Sequence, residues 1–138
     1  MNRVFISFLF LSFAGPAIAE EISLFNAQGA ATAYIDTDDD LTIYLWSGKP
    51  VAYLDDGNVY GFNGKHLGWF ERGAIWGEDG GAACATAAAM PRTQFEPFKS
   101  FKQFKPFKSF KEFAPLKPLL SGRFGSMPCA VLLAAGGS

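Results

Sequence analysis

The sequence predicts an all-β fold: a small, shallow barrel of four repeated β-hairpins with pseudo-fourfold symmetry, followed by a low-complexity tail that is largely disordered or polyproline-II-like. Three observations predict it. Four matching segments each end at a glycine, Gly29, Gly48, Gly64 and Gly80, spaced 19, 16 and 16 residues apart. Apolar side chains within those segments alternate at the strand period. Beyond residue 91 the charge and the period both change: residues 20–91 carry 11 acids and 3 bases, residues 92–138 carry 8 bases and 2 acids. The expected boundaries are therefore 1–19, 20–91, 92–121 and 122–138.

Residues 1–19 read as an export signal. Arg3 is the positive n-region, Val4 to Ala14 the apolar run, and Ala17-Ile18-Ala19 the small residues a signal peptidase requires. The run is shorter than the ~20 apolar residues a membrane span needs. A periplasmic or secreted location is expected, with peripheral membrane association as an extension of it.

Residues 20–91 hold the repeat. Five residues before each glycine stands an aliphatic (Leu24, Ile43, Val59, Ile75), and four before stands an aromatic (Phe25, Tyr44, Tyr60, Trp76). Five after it stand Tyr34, Tyr53, Trp69 and then Ala85; seven after it stand Asp36, Asp55, Glu71 and then Ala87. The fourth copy has lost its aromatic and its acid, as terminal repeats often do. Asn63-Gly64 and Asp79-Gly80 read as two-residue turns with positive φ at both positions. Counting across such a turn pairs position −5 with +4 and −4 with +3. One face then carries −5, +4 and +6; the other carries −4, +3 and +5 and is aromatic, with Tyr44, Tyr53, Tyr60, Trp69 and Trp76. The +4 position is always small (Ala33, Ala52, Gly68, Cys84), which suits a crowded axis. A lone hairpin is unstable in water, and closure of four into a ring removes every exposed edge. Asp38-Asp39-Asp40 lacks the spacing of a calcium loop and reads as a solvated link.

Residues 92–121 have a period of three. Phe95, Phe98, Phe101, Phe104, Phe107, Phe110 and Phe113 form one row; Lys99, Lys102, Lys105, Lys108 and Lys111 follow within the same triplets. Pro97, Pro106 and Pro115 mark a superimposed nine-residue repeat. Polyproline II has three residues per turn, so it would align the rings on one edge and the lysines beside them. Three fates are open to such a segment: an anionic membrane or envelope surface, its own acidic and aromatic barrel or a neighbouring one, or solvent. Residues 122–138 are expected to be disordered, and their apolar run, Cys129 to Ala135, is too short to span a bilayer. Cys84 reads as a small buried hydrophobe and Cys129 as a tail thiol. Export permits a disulfide between them, but spacing alone does not establish one.

The segments Thr42 to Leu54 (Thr-Ile-Tyr-Leu-Trp-Ser-Gly-Lys-Pro-Val-Ala-Tyr-Leu) and Val59 to Glu71 (Val-Tyr-Gly-Phe-Asn-Gly-Lys-His-Leu-Gly-Trp-Phe-Glu), together with the triplet tail, resemble the four-fold beta flower family of bacterial exported proteins. The resemblance implies a shallow pseudo-fourfold barrel with an apolar centre, loosely like the tubby-type barrels that meet phosphoinositide membranes. This tail differs in using Phe where Leu is commoner.

No catalytic constellation stands out. His66, the only histidine, follows a turn beside Lys65 and reads as solvent-facing; no phosphate loop or nucleophile–base arrangement occurs. The expected function is a non-catalytic, cofactor-free envelope protein that binds lipid or another apolar partner. The binding residues would be Tyr44, Tyr53, Tyr60, Trp69 and Trp76 on the barrel, with Phe98, Phe101, Phe104, Phe107, Lys99, Lys102, Lys105 and Lys108 on the tail. The alternative is an interaction module that forms homo-oligomers through its aromatic face. Nucleic acid is not an expected partner, because the basic segment follows an acidic domain on an exported chain.

Overall fold

A computed structural model describes residues 20–137; the export signal expected at 1–19 lies outside the described residues. Eight antiparallel strands close a barrel in sequence order: β1 (Glu21–Phe25), β2 (Ala31–Asp36), β3 (Thr42–Leu45), β4 (Pro50–Asp55), β5 (Asn58–Gly61), β6 (His66–Glu71), β7 (Ala74–Trp76) and β8 (Ala82–Ala85). A short 3-10 turn (Ala87–Ala89) leads to the tail, which runs without regular secondary structure to a C-terminal helix, α1 (Cys129–Ala134).

The predicted −5/+4 pairing holds in all four hairpins: Leu24 with Ala33, Ile43 with Ala52, Val59 with Gly68, and Ile75 with Cys84. The −4/+3 pairing does not. Phe25, Tyr44, Tyr60 and Trp76 pair instead with Ala31, Pro50, His66 and Ala82, at +2, and the register slips between −5 and −4 every time. The cause is the turn. In the third hairpin Gly61 N–H donates to Lys65 O (2.9 Å) and Gly64 N–H to Gly61 O (2.9 Å), and the other three close the same way. These are three-residue loops ending in a glycine bulge, so only the glycine takes positive φ, between +82° and +92°. The bulge sends position +3 inward. Val51, Leu67 and Ala83 accordingly join the interior, not the aromatic face.

The two-residue turns occur between hairpins. Asp56-Gly57 and Arg72-Gly73 have positive φ at both central residues (54° and 81°, 52° and 76°), the geometry that matches the twist of tightly joined strands. The β2–β3 link is longer, Thr37 to Leu41, with Asp40 and Leu41 left-handed at 58° and 56°. Those three additional residues account for the 19-residue spacing of the first pair of glycines against 16 for the others.

Inside, the aliphatics Leu24, Ile43, Val59 and Ile75 are 0 % exposed and lie opposite the small +4 residues, as the repeat requires. The remaining space is filled by the C-terminus. Cys129, Leu132 and Leu133 of α1 are buried in the same cluster, and Cys129 is disulfide-bonded to Cys84 with 5.0 Å between Cα atoms. Residues 122–137 are thus ordered, and the two cysteines are paired. An apolar run too short for a bilayer is long enough to stop one mouth of a small barrel. Cross-linking residues 45 apart contributes about 4 kcal/mol on the chain-entropy scale.

Candidate functional site

The tail is neither free nor disordered: it lies on the barrel as a belt. Its nine-residue repeat is matched to the four hairpins. The amides of Gln94, Gln103, Glu112 and Ser121, each nine apart, donate to the carbonyls of Gly29, Gly48, Gly64 and Gly80 at 2.8–2.9 Å. The carbonyls of Arg92, Phe101, Phe110 and Leu119, again nine apart, pass over the same four glycines, where a Cβ would meet them. A second rung runs from Ser100 N–H to Trp46 O and from Ser109 N–H to Phe62 O; the equivalent positions at either end are Pro91 and Pro118, which have no N–H to give. Each nonapeptide carries the chain from one hairpin to the next, a reach of about 28 Å at the polyproline II rise.

The three-residue period turns the lysines inward. Lys99 pairs with Glu21; Lys102 bridges Glu21 and the buried Asp36; Lys105 reaches Asp39 and Lys108 reaches Asp40, both at 2.7 Å; Lys111 takes Asp55 and Lys117 takes Glu71. Their ammonium groups lie over the aromatic face. Lys99 sits 4.5 Å from the Tyr34 ring and 5.2 Å from Trp46, Lys102 5.5 Å from Tyr44, Lys108 4.2 Å from Tyr53, and Lys111 5.5 Å from Tyr60. Cation–π attraction of this kind strengthens as water leaves. The hydrogen bond from Lys99 holds the Glu21 carboxyl below its usual range. Burial pulls the Lys102 ammonium down, but its bonds to Asp36 and Glu21 outweigh that and push it up. Burial, with the bond it donates to Asp39 at 2.6 Å, raises the Tyr44 hydroxyl.

The site residues expected from sequence therefore separate. Tyr44, Tyr53, Tyr60, Trp69 and Trp76 are 2–5 % exposed; belt residues cover the first three and Trp76, and Trp69 packs on His66. Lys99, Lys102, Lys105 and Lys108 are engaged by barrel acids. Phe98, Phe101, Phe104 and Phe107 are 97–101 % exposed, and Phe95, Phe110, Phe113, Leu116 and Leu119 continue the row at 95–103 %. The chain's own lysines thus occupy the barrel's aromatic face, and the face turned outward is a comb of rings about 9.3 Å apart.

His66 is not solvent-facing. It is 3 % exposed, wedged edge-on between Tyr60 and Trp69, with its Nε2 2.9 Å from Asn58 Oδ1 and its backbone N–H donating to Glu112 Oε2 at 2.6 Å. Burial lowers its pKa, against the opposing pull of Glu78 and Glu112. Among the described residues no three or more His, Cys, Asp or Glu side chains converge as metal ligands. Nothing within the hairpins themselves marks the four turn glycines as anchors. The signal for that role is numerical: four glycines and four tail residues at nine-residue steps.

Comparison with known proteins agrees with this architecture. No curated protein and no solved structure matches the chain. A sequence model described as 4-fold beta flower protein matches residues 22–133, which takes in the barrel, the belt and most of α1. The chain belongs to the 4-fold beta flower protein family.

Proposed function

We propose that this protein is a non-catalytic envelope protein that binds lipid surfaces through the outward phenylalanines of its belt. One observation carries the reading: seven Phe and two Leu side chains stand 95–103 % exposed in a single periodic row. Soluble monomers rarely leave so much contiguous apolar surface in water. Burying one such ring is worth about 1.5–3 kcal/mol, so four of them outweigh a large part of the cost of association. The N-terminal export signal supports an envelope location. The belt lysines are satisfied by barrel acids, so attraction to anionic headgroups is a minor part of the binding.

Liposome flotation of the full chain tests this. Binding to phosphatidylcholine vesicles is expected, with little gain from added anionic lipid. The combined variant Phe98→Ser, Phe101→Ser, Phe104→Ser and Phe107→Ser should stay unbound while keeping its circular dichroism spectrum. A wild-type chain that floats with neither vesicle type would sink the proposal. The alternative, self-association, has no free aromatic barrel face to use, and would have to employ the same Phe row. Its signature is a concentration-dependent mass without flotation.

A further inference from the structure

The fourth hairpin is built differently, and the difference leaves a space. Where the first three carry Tyr34, Tyr53 and Trp69, the fourth has Ala85, and the acid of the others is Ala87. The belt changes in step: Lys102 and Lys111 are nine apart, and nine further on stands Leu120, which packs on the Trp76 cluster. Where that aromatic is absent lies a half-open hollow of about 370 Å³, with Ala74, Trp76, Ala82, Ala85 and Phe124 for its floor and Arg72 and Arg123 among its walls. That volume is within the ~300–1,000 Å³ usual for small-molecule sites. Arg72 is held 5.9 Å from the Trp76 ring. Its one carboxylate neighbour, Glu71 at 3.6 Å, is already bonded to Lys117. Arg123 makes no ion pair among the described residues; nor does Arg92, which lines an adjoining hollow that shares Pro91 and Phe124. The belt lysines are neutralised by acids, whereas these guanidiniums have charge to spare beside an apolar floor.

We infer that this seam cavity binds a single-chain anionic amphiphile, its alkyl chain against Trp76 and the alanines and its headgroup on Arg72 and Arg123. Guanidinium is suited to a carboxylate, sulfate or phosphate oxyanion because it donates in a fork. The site is separate from the Phe row and takes monomeric ligand, so it does not depend on the lipid-surface reading above.

The test is calorimetric titration of the full chain with dodecanoate below its micellar concentration. Saturable one-site binding is expected. Arg72→Gln and Arg123→Gln should each weaken it about tenfold, the order of one charge-assisted bond. Ala85→Tyr, which restores the residue of the other hairpins, should fill the space and abolish binding. Dodecanol should bind at least about tenfold more weakly, and inorganic phosphate should not register. Absence of dodecanoate binding overturns the inference, and so does phosphate binding as tight as dodecanoate, which would make this a bare anion site. Unchanged affinity in Arg123→Gln also overturns it; that exposed change leaves the fold intact and decides the matter even if Ala85→Tyr unfolds.

Discussion

The first three hairpins and the fourth hold the same belt by different physics. Hairpins one to three offer a carboxylate at the end of the return strand and an aromatic two residues before it, and the tail answers with lysines. The fourth offers alanines, and the tail answers with Leu120, Phe124 and a covalent bond from Cys129 to Cys84. Strand pairing follows the same division. β8 meets β1 only at Phe25 and Ala85, whereas β2 meets β3 through four pairs. Phe124 adds a parallel bridge to Ala82 at that weak edge, with Ala82 N–H donating to Arg123 O at 3.0 Å. A repeat that must close on itself thus pairs least at its seam, and the C-terminus makes good the shortfall.

The largest effect should come from the seam. Cys129→Ser is expected to lower unfolding free energy by about 4 kcal/mol in urea titration, since it removes the link that ties the plug to β8. A loss below ~1 kcal/mol would show that α1 holds the barrel shut without the bond. An intermediate effect is expected at the belt's anchors. Gly64→Ala sets a methyl against the Phe110 carbonyl and also strains a residue at φ +88°, at about 1–2 kcal/mol for the backbone alone. Hydrogen exchange at the Glu112 amide should then rise sharply. The same change at Gly29 should be milder, because the opposing Arg92 carbonyl is 2.9 Å away.

The smallest effect, and the sharpest on the comparison, is acid. Bonds from Lys99, Lys108 and Lys117 lower the pKa values of Glu21, Asp40 and Glu71; for Asp39 burial opposes, and the bond from Lys105 prevails. Each carboxyl therefore binds its proton more readily when the belt is off. Docking is complete above pH 4.5, the ordinary Glu value, and weakens progressively below it, first through Glu21 and Glu71 and then, below the ordinary Asp value of 3.8, through Asp39 and Asp40. Amide exchange at Gln103 and Glu112 should accelerate across that window while Ser121, beside the apolar seam, stays protected. Equal release at all three would mean that the fourth hairpin holds the belt by charge after all.

Much of this was legible in the residues. The glycine register gave four hairpins, the −5/+4 pairs and the crowded axis at Ala33, Ala52, Gly68 and Cys84. The turn type differs from the expected one because Asn-Gly fits both a two-residue turn and a three-residue loop with a glycine bulge. Apolar Val51 and Leu67 at +3 held the distinction, since a bulge was needed to bury them. The tight turns lie between the hairpins instead, at Asp56-Gly57 and Arg72-Gly73. The tail's docking was one of three open fates because its period of three is local, whereas its partner acids lie 46–78 residues away. The disulfide was illegible for the same reason: it depends on the chain returning to the barrel after the belt has crossed all four hairpins.

The match between nine tail residues and one hairpin has a consequence for how such a protein changes size. The belt acts as a ruler, and its anchors, nine residues apart, count petals. A fifth hairpin of 16 residues would widen the ring and leave the last anchor about 28 Å short, unless a nonapeptide were added with it. Petal number and belt length are therefore one inherited quantity written twice along the chain, and a duplication in either stretch alone would yield a flower that does not close.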